Sequence, residues 1–245
     1  MNYLNLDEKD LDKPIYRIFN IDHFEDTLLQ DRITLVRPKL WEDPFENFLY
    51  NYYKNKFNDN NKAMRWYGSE LFAQCWTLRN ESDAMWRIYS SDKKGIKVKT
   101  TIRKLFDCLL KIDSRSNFAT CFIGKVEYLK QNDLVQTLSN PNLIRNNLSS
   151  DTAHHRASAL LIKRREFDHE KEIRLIFERR DKIDIRNNNL IDIPISYNDL
   201  FESISLDPRL KKDEFMHQKN KLIKLGFKNR IYQSRLYKLP FENKN

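Results

Sequence analysis

An arginine inside an apolar run is the first feature of the sequence that indicates chemistry. Arg17 follows Tyr16 in the segment IYRIF, which covers residues 15–19. The planar guanidinium group of an arginine can grip a phosphate or a carboxylate with two parallel hydrogen bonds. Arg17 is therefore a candidate anion ligand, and the alternative is an arginine at a sheet edge that pairs with a surface acid. From this residue alone the second interpretation is favoured.

The densest group of candidate side chains lies in the segment CWTLRNESDAMWRIY, residues 75–89. Aromatic rings close to a hydroxyl group can stack a nucleobase or a nicotinamide ring. Core packing is the more common role of a single aromatic residue, so the segment indicates a pocket wall and no more. Ser82 is also a good residue to cap a helix that starts at residue 83. The candidates in this segment are Trp76, Thr77, Ser82, Trp86 and Tyr89.

Two glutamates and an arginine alternate in the segment HEKEIRLIF, residues 169–177. On a β-strand, Glu172 and Arg174 would share one face, and the apolar residues between them would share the other. Such a strand indicates either a solvated sheet surface or the floor of a polar cleft. In a cleft, Glu172 would act as a base or hold a ribose hydroxyl, and Glu170 is the second acid of the motif. An ion pair between Glu172 and Arg174 is the third interpretation.

A further acidic motif, WEDPFE, covers residues 41–46 and indicates a turn followed by the start of a helix. Asp43 is a suitable helix cap, and Glu46, three positions later, would complete a capping box. Glu46 on the first helical turn could instead face a pocket. The capping role is favoured for Asp43, and both interpretations of Glu46 stay open.

The composition argues against several kinds of site. The chain has only 4 glycines and neither of the Gly-rich phosphate-binding motifs, so a nucleotide would have to be held by side chains. Its 3 cysteines are widely spaced, which argues for buried thiols rather than a disulfide framework or a zinc site. The 5 histidines show no metal-binding spacing. No metal is therefore expected.

Charge and hydropathy limit the partners. The formal net charge is +9, but the 44 basic residues are interspersed with 35 acidic ones, which favours a mixed solvated surface and leaves nucleic acid as an alternative partner. The first residues lack the regions of a signal peptide, and no apolar run reaches the ~20 residues of a membrane helix. We therefore expect a cytoplasmic protein without a membrane partner and leave the oligomeric state open.

The elements that must position these residues follow from hydrophobic periodicity and turn residues. Strands and helices mix without a regular βαβ repeat, which predicts an α+β fold: a mixed, largely antiparallel sheet with helices packed around it, in a single domain over residues 1–245. Residues 1–14 are expected to form a polar leader, and 47–70 and 130–150 to be connections that can be mobile.

The predicted boundaries are specific. Gly95 is predicted to cap the C-terminus of a helix over 83–90, and Thr100 to open a helix over 101–112. The predicted strands are 15–19, 33–38, 71–78, 96–99, 121–129, 172–178, 201–207 and 228–234. The other predicted helices are 22–31, 151–164 and 211–225.

In their order along the chain, these motifs resemble a widespread bacterial family, domain of unknown function two-nine-seven-one. Four positions depart from the family's usual pattern: Glu42 replaces Asn, Trp76-Thr77 replaces Phe-Ser, and Phe167 replaces Trp. The resemblance covers nearly the whole chain, adds Lys163 to the candidate ligand-binding residues, and implies a fold but no established reaction. The matching residues are Tyr16-Arg17, Glu42-Asp43-Pro44-Phe45-Glu46, Cys75-Trp76-Thr77, Met85-Trp86-x-x-Tyr89, Gly95, Lys163, Phe167-x-x-Glu170-x-Glu172-x-Arg174 and Ser205-Leu206-Asp207-Pro208.

The order of roles is also similar to that of ADP-ribosyltransferases, which use a first-strand Arg or His, a hydroxyl or aromatic residue on a middle strand, and a late-strand Glu. This resemblance implies NAD as a substrate. Arg17 would hold its pyrophosphate, and Glu172 would stabilise an oxocarbenium-like centre or orient the acceptor. Thr77 with Tyr89 would occupy the middle position, beside rings that stack the nicotinamide. Such an enzyme would fit a toxin or a phage-defence effector, with a protein, a nucleic acid or a small molecule as its target.

Two other functions stay open. One is a non-catalytic binding module for a nucleotide or a nucleic acid, built on Arg17, Arg174 and the tryptophans. The other is a metal-dependent, nuclease-like effector in which four carboxylates surround a divalent ion. Those carboxylates would be Asp43, Glu46, Glu170 and Glu172.

All three functions need one cleft that collects the site. The residues expected to converge on it are Arg17, Glu46, Trp86, Glu172 and Arg174. The candidate catalytic residues are Glu172, Arg17 and Thr77, and the candidate ligand-binding residues are Tyr16, Glu46, Trp76, Ser82, Trp86, Tyr89, Lys163, Glu170 and Arg174.

Overall fold

The computed structural model describes residues 2–41, 43, 46, 71–113, 119–139, 153–179 and 189–238. In these residues, ten strands form one sheet and two more form a separate pair. The strands are Tyr3–Leu4 (β1), Pro14–Asn20 (β2), Arg32–Val36 (β3), Leu71–Thr77 (β4), Gly95–Thr101 (β5), Ala119–Lys125 (β6), Glu127–Leu129 (β7), Ile162–Arg164 (β8), Glu172–Arg179 (β9), Leu190–Pro194 (β10), Ser203–Leu206 (β11) and Arg230–Gln233 (β12). The α-helices are Ile21–Gln30 (α1), Asp83–Tyr89 (α2), Ile102–Asp113 (α3), Gln131–Ser139 (α4), Ala153–Ala159 (α5), Tyr197–Leu200 (α6) and Lys212–Lys224 (α7). Short 3-10 turns cover Glu8–Asp10, Pro38–Leu40 and Arg165–Glu170.

The large sheet is mixed and mostly antiparallel. Its main path runs β1-β6-β9-β4-β2-β5-β11-β12, and β3 joins it through β4 and carries β10. Among the described strands of this sheet, β1 pairs in parallel with β6 and β11 with β12, and the other pairs are antiparallel. The predicted α+β class is confirmed. No helix within the described ranges is long and apolar enough to cross a membrane.

Two helices begin at residues whose side chains cap them. The Asn20 side chain accepts a hydrogen bond from the Asp22 amide at 2.9 Å and starts α1. The Ser82 side chain accepts one from the Met85 amide at 3.4 Å and starts α2. Each cap satisfies an amide that has no partner inside the helix. The predicted cap at Ser82 is therefore confirmed.

The central strand β4 pairs with three strands, and this pairing leaves a gap along one of its edges. Along one edge, β9 pairs with β4 over its whole length. On the other edge, Ala73 pairs with β3, and Thr77 pairs with Tyr16 of β2. Because β2 and β3 each take one end of this edge, the stretch of β4 between them has no strand partner there among the described residues.

Side chains fill the gap that this arrangement leaves beside β4. Gln74 Nε2 donates to the Thr34 carbonyl oxygen at 3.1 Å, and Trp76 Nε1 donates to Gln74 Oε1 at 2.9 Å. Nearer to β2, the Arg17 guanidinium donates to the Cys75 carbonyl oxygen. Backbone groups that would pair with a neighbouring strand are thus satisfied by side chains. The opening can persist without buried unpaired carbonyl groups at these positions.

The two faces of the sheet differ in chemistry. One carries the larger apolar core, to which α1 and α3 contribute. The other combines a smaller apolar cluster, to which α5 contributes, with polar residues of β9, β4 and β2. The register places Glu172 opposite Thr77, and Thr77 opposite Tyr16, so these side chains form one row across three strands. The polar face of β9 is covered rather than solvated, since Glu172 is 5% and Arg174 0% exposed.

Two predictions about β5 were wrong. Thr100 pairs with Ile15 of β2 and belongs to the strand, so α3 begins only at Ile102. A β-branched residue fits a paired strand well, and tertiary pairing outweighs its local signal for a helix start. Gly95 begins β5 instead of capping α2. A Cβ atom at Gly95 would lie 2.5 Å from the Cβ of Ser90, so the close approach of the strand to the helix end explains the glycine.

Other boundaries also differ from the predictions. The predicted helix over 151–164 ends at Ala159, and its last three residues form β8, which pairs with β7. The predicted strand over 121–129 divides at Val126 into β6 and β7. Residues 2–14 are part of the fold, because β1 pairs with β6 and both Leu4 and Leu11 are buried. Of the expected mobile connections, 131–139 form α4, whereas 47–70 and 140–150 lie outside the described residues.

Candidate functional site

A pocket that is open to solvent lies beside the gap between β2 and β4, and its empty space, with the open solvent at its mouth included, is about 420 Å³. Its wall is built by β2, by the end of β4, by α2 and by the start of β9. The polar side chains that contribute to it are Tyr16, Arg17, Thr77, Tyr89, Glu170 and Glu172. These residues come from distant parts of the sequence, and the strand register described above brings them together.

Lys163 binds three carboxylates next to this pocket. Its Nζ lies 2.6 Å from Glu170 Oε2, 2.9 Å from Glu172 Oε1 and 3.0 Å from Glu46 Oε1. The side chain of Lys163 is only 6% exposed. An ammonium group has three donors, and all three are occupied here. Lys163 therefore joins the turn before β9, the start of β9 and the segment that carries Glu46.

Arg174 forms the second cationic centre of the site and is fully buried. Its Nε lies 2.7 Å from Glu172 Oε2, and its Nη1 donates to the Leu160 carbonyl oxygen at 2.6 Å. Its Nη2 also binds Glu46, and the Trp41 ring covers the guanidinium at 4.4 Å from the ring centroid. We call Glu46, Lys163, Glu170, Glu172 and Arg174 the carboxylate cluster.

The two glutamates that line the pocket have opposite pKa shifts. Burial raises the pKa of Glu170, and a hydrogen bond and repulsion from Glu172 raise it further, against the attraction of Lys163. Burial would also raise the pKa of Glu172, but the charge of Arg174, the hydrogen bond with Glu170 and the charge of Lys163 outweigh burial and lower it. A pair of carboxyl groups with divergent pKa values is a common arrangement for acid–base chemistry.

Two tyrosines hold these glutamates in place. Tyr89 on α2 donates its hydroxyl hydrogen bond to Glu170 Oε1 at 3.0 Å. Burial, together with the charge of Glu170, raises the pKa of Tyr89, so its hydroxyl stays a donor at neutral pH. The Tyr128 hydroxyl accepts a hydrogen bond from the Glu172 amide at 2.8 Å.

Thr77 positions the backbone at the rim of the pocket. Its hydroxyl donates to the Glu170 carbonyl oxygen and accepts from the Arg79 amide at 3.0 Å. The hydroxyl is therefore already bonded on both sides. Thr77 lines the pocket, but its hydrogen bonds serve the placement of Glu170.

Arg17 is the cation of the pocket that the fold uses least. Among the described residues it donates one hydrogen bond, to the Cys75 carbonyl oxygen, and it contacts no carboxylate. Its guanidinium lies 5.1 Å from the centroid of the Phe19 ring, and its Nε is buried without a partner. Burial lowers the pKa of Arg17, although Cys75, Tyr89 and Glu172 act in the opposite direction. A half-buried guanidinium without an acid partner is a suitable site for an anionic group of a ligand.

Four of the five residues expected to converge do so. Glu46, Glu172 and Arg174 are in direct contact, and Arg17 lines the pocket together with Glu172. Trp86 lies outside this group. It is 1% exposed and donates from Nε1 to Glu81 Oε1, which places it in a buried contact rather than on the pocket wall.

We expected Trp86 to lie on the side of α2 that faces the pocket, but another side of the helix faces it. Met85 and Tyr89 line the pocket, and their spacing of four residues places them on one helical face. Trp86 follows Met85 and lies on another side of the helix. The Nζ atom of Lys97 lies over its ring, 5.7 Å from the ring centroid. Ser82 caps α2, as described above, and does not line the pocket. Spacing along the helix was the signal that could have identified Met85.

Other candidates lie close to the site. Tyr16 and Trp76 are both part of the pocket wall, on β2 and β4. Cys75, which belongs to a matching motif but was not a site candidate, also lines the pocket, and burial raises the pKa of its thiol to about 12. The thiol is therefore neutral, and Cys75 acts as a small apolar residue of the wall.

The four acids considered for a divalent ion are not arranged around a common empty centre. The oxygens of Glu46, Glu170 and Glu172 point at the cations Lys163 and Arg174, as the distances above show. Asp43 instead binds Arg164 at 3.1 Å. In the ranges that the structure describes, no group of three or more His, Cys, Asp or Glu residues is arranged to hold a metal ion.

Comparisons with known proteins concern the family and the fold. The model of the family described as "Protein of unknown function (DUF2971)" matches residues 85–175. This match confirms the predicted family resemblance over that segment, which contains four members of the carboxylate cluster. No curated protein matches the chain.

Solved structures of one protein are similar to the chain. They are described as Thermus sp. 2.9 DarT in complex with carba-NAD+, with NAD+ and with ADP-ribosylated ssDNA. Their sequence identities to this chain are 11%, 10% and 10%, and the TM-scores are 0.38, 0.37 and 0.39. Each match covers 91% of this chain and 96%, 96% and 95% of the other.

Proposed function

We propose that this chain is an NAD-using enzyme that transfers ADP-ribose to an acceptor, with its active site in the pocket beside β2 and β4. One observation carries the proposal. The pocket combines two buried carboxyl groups of divergent pKa with an arginine that contacts no carboxylate among the described residues. The reaction needs one anion, one proton acceptor and one phosphate ligand, and these three groups can supply them.

Glu172 is the group that we assign to bond cleavage. In the reaction, the bond between C1′ of the ribose and the nicotinamide nitrogen breaks, and the electron pair leaves with nicotinamide. Positive charge then develops on the ribose. A buried carboxylate that stays ionised stabilises this charge, because its field is stronger in a poorly solvated pocket than in water. The lowered pKa of Glu172 keeps it ionised at neutral pH.

Glu170 is the group that we assign to the acceptor. The nucleophilic atom of the acceptor bonds to C1′ and loses a proton, which a base must take up. A general base works best when its pKa lies near the working pH, and the raised pKa of Glu170 moves it in that direction. The hydrogen bond from Tyr89 fixes the orientation of its carboxyl group.

Arg17 is the group that we assign to the phosphates of NAD. It lies in the pocket wall with Glu172, and its donors are mostly free of protein partners in the described ranges. Tyr16, Trp76 and Thr77 would then form the wall beside the ribose and the nicotinamide. Arg174 and Lys163 are fully engaged with glutamates, so we do not assign them to the ligand.

Nicotinamide release tests the proposal. The protein is incubated with NAD labelled in the nicotinamide ring, with protein, nucleic-acid and small-molecule acceptors from a cell extract, and with or without magnesium. Glu172→Gln is expected to lower release by about 100-fold or more, because it removes the anion that faces the developing charge. Glu202→Gln is the matched control, since Glu202 is also ion-paired but binds the surface residues Lys99 and Lys104.

Two results would contradict the proposal and identify the alternatives. Magnesium-dependent cleavage of nucleic acid without nicotinamide release would favour the nuclease-like function. Binding of a nucleotide without either reaction would favour the non-catalytic module. Equal nicotinamide release by wild type and Glu172→Gln would show that Glu172 is not the catalytic anion.

A further inference from the structure

We propose that Lys163 is the positioning residue of this site: its one ammonium group clamps Glu46, Glu170 and Glu172 and holds the two glutamates of the pocket beside each other. The catalytic meaning of this inference rests on the proposed function. Its structural part does not rest on the proposed function, because it concerns the titration of the protein without NAD. Lys163 would then act through Glu170 and Glu172 rather than by touching the substrate.

The surroundings of Lys163 leave it no capacity for a ligand. Nζ donates hydrogen bonds to Glu170 and Glu172 and forms an ion pair with Glu46, and all three oxygens lie between 2.6 and 3.0 Å away. The Phe167 ring covers the ammonium from a further side, with its centroid 4.5 Å from Nζ. The strand that carries Lys163 lies outside the large sheet and pairs with β7, where Tyr128 is its register partner. Lys163 is thus held from outside the sheet against the start of β9.

A count of charges shows why the pocket glutamates differ. The carboxylate cluster contains three acids and two cations, so full ionisation would leave one negative charge in excess in a buried place. Burial of an uncompensated charge is costly, and the cluster relieves it when one acid takes a proton. Glu46 and Glu172 each contact both Lys163 and Arg174, whereas Glu170 contacts Lys163 and the neutral Tyr89 hydroxyl. Glu170 has the least compensation, and it is therefore the first of the three acids to take up a proton as the pH falls.

The other titratable groups that face the cluster do not supply this difference. Tyr89 on α2, Tyr128 on β7 and Cys75 on β4 all have raised pKa values, with burial as the largest cause, so they stay neutral near pH 7. Arg17 on β2 stays charged but contacts neither glutamate directly. The distribution of protons therefore depends on the two cations within the cluster, and Lys163 is the one that Glu170 shares.

Removal of Lys163 should raise the pKa of both pocket glutamates, because both contact its ammonium group. Without its charge, the cluster would hold three acids against Arg174 alone, so a second carboxyl group would take a proton near neutral pH. Lys163→Met is therefore expected to raise the pKa of Glu172 by at least about one unit, since an opposite charge within 4 Å typically lowers a carboxyl pKa by that much. Lys163→Arg keeps the charge, but its planar group cannot reach three carboxylates from one point.

The test uses the full chain with ¹³C-labelled glutamate side chains, titrated by NMR without NAD. In the wild type, one glutamate should titrate above the ordinary carboxyl range and one below it. Lys163→Met should move the lower value upward, Lys163→Arg should keep the two values apart, and Lys104→Met should leave both unchanged. Lys104 is a suitable control because it is ion-paired with Glu202 on the surface.

Kinetics add a readout that a purely structural lysine would not move. The pH profile of nicotinamide release should shift in Lys163→Met, and Lys163→Arg should lower kcat by about 100-fold through misplaced carboxyl groups with little change in KM for NAD. A folded Lys163→Met whose glutamates titrate as in the wild type would overturn the inference. If Lys163→Met does not fold, the titration of the wild type tests the inference. Two pocket glutamates with ordinary pKa values in the wild type would also overturn the inference. A wild type without NAD turnover but with the unequal pair would refute the proposed function alone.

Discussion

Two groups of buried charges hold this fold together, and they differ in their balance. The carboxylate cluster has three acids and two cations and borders the pocket. A second group, which we call the anchor, consists of Ser90, Asp207 and Arg209. In the anchor, Asp207 is fully buried and accepts from Arg209 Nε at 2.9 Å, from Arg209 Nη2 at 2.6 Å and from the Ser90 hydroxyl at 2.6 Å. The anchor therefore contains one acid and one cation.

The difference indicates what marks a functional site in this molecule. Burial of charge is common to both groups, so burial by itself does not distinguish them. The anchor is neutral, closed by hydrogen bonds and outside the pocket wall. The carboxylate cluster carries a surplus acid, and this surplus places a proton on the wall of a pocket. An excess of one charge beside a pocket is therefore the feature that we connect with chemistry.

The anchor also explains how α2 is placed. Ser90 follows the last residue of α2, and its hydroxyl accepts from the Gly95 amide at 2.8 Å at the start of β5. Arg209 donates further to the Ser90 carbonyl oxygen. These bonds fix the end of the helix from which Tyr89 reaches Glu170. The anchor thus supports the carboxylate cluster, because it fixes the position of α2.

The largest effect on stability is expected in the anchor. Asp207→Ala removes the only acid of a balanced buried pair and leaves Arg209 without its partner, so the free energy of unfolding should fall by about 3–5 kcal/mol. Urea unfolding followed by circular dichroism measures this loss. A loss below about 1 kcal/mol would mean that the anchor is not a structural pair and would remove the contrast between the two groups.

The opposite pattern is expected for Glu170→Gln in the carboxylate cluster. Glutamine resembles the protonated form of the surplus acid, so the free energy of unfolding should change by only about 1 kcal/mol. Transfer to the acceptor should nevertheless fall by about 100-fold, because the amide cannot take up a proton. Parallel measurement of unfolding and of product formation separates the two effects. A variant that loses much stability but keeps its transfer rate would contradict the assignment of Glu170.

A smaller effect concerns the pH dependence of stability. Glu172 has a lowered pKa, so its contribution is present above its ordinary pKa and is lost as the pH falls from that value through its pKa in the folded protein, about 2. Glu170 has a raised pKa, so its contribution is present at low pH and is lost as the pH rises through its value in the folded protein. We call these two pH-dependent losses of stability the acid limb and the limb at higher pH. In each limb, the free energy of unfolding should change by up to about 1.4 kcal/mol per pH unit.

Urea unfolding over a series of pH values measures both limbs. The wild type should be most stable between them, and Glu170→Gln should lose the limb at higher pH while it keeps the acid limb. Asp207→Asn should leave the limb at higher pH in place, since the anchor has no surplus acid. A wild-type profile without a limb at higher pH would show that no surplus proton is held in the cluster.

Local signals were sufficient for much of the fold. Short apolar segments identified β2 and β4, alternation of apolar residues identified β9, and the side chain of Ser82 identified the start of α2. The same alternation placed Glu172 and Arg174 on one face. These features depend on neighbours within a few residues, which is why the sequence alone contains them.

Features that depend on pairing between distant strands were not accessible in this way. Lys163 was predicted in a helix, whereas in the part of the chain that the structure describes its strand pairs with β7, and its role as a clamp follows from that pairing. Thr100 and Gly95 were misassigned for a similar reason, since both belong to a strand whose partners are remote in sequence. Trp86 was expected in the pocket because of its type, whereas helical spacing places Met85 and Tyr89 there. The register that aligns Glu172, Thr77 and Tyr16 is likewise a tertiary property.

A crystal structure of Glu172→Gln with NAD tests the central claim most directly, because the variant should bind NAD without consuming it. We expect C1′ of the nicotinamide ribose beside residue 172, the acceptor side of the ribose towards Glu170, and a phosphate group on the Arg17 guanidinium. Lys163 and Arg174 should keep their contacts with Glu46. NAD bound elsewhere on the molecule, or phosphates held by Lys163 or Arg174 after displacement of Glu46, would contradict the account.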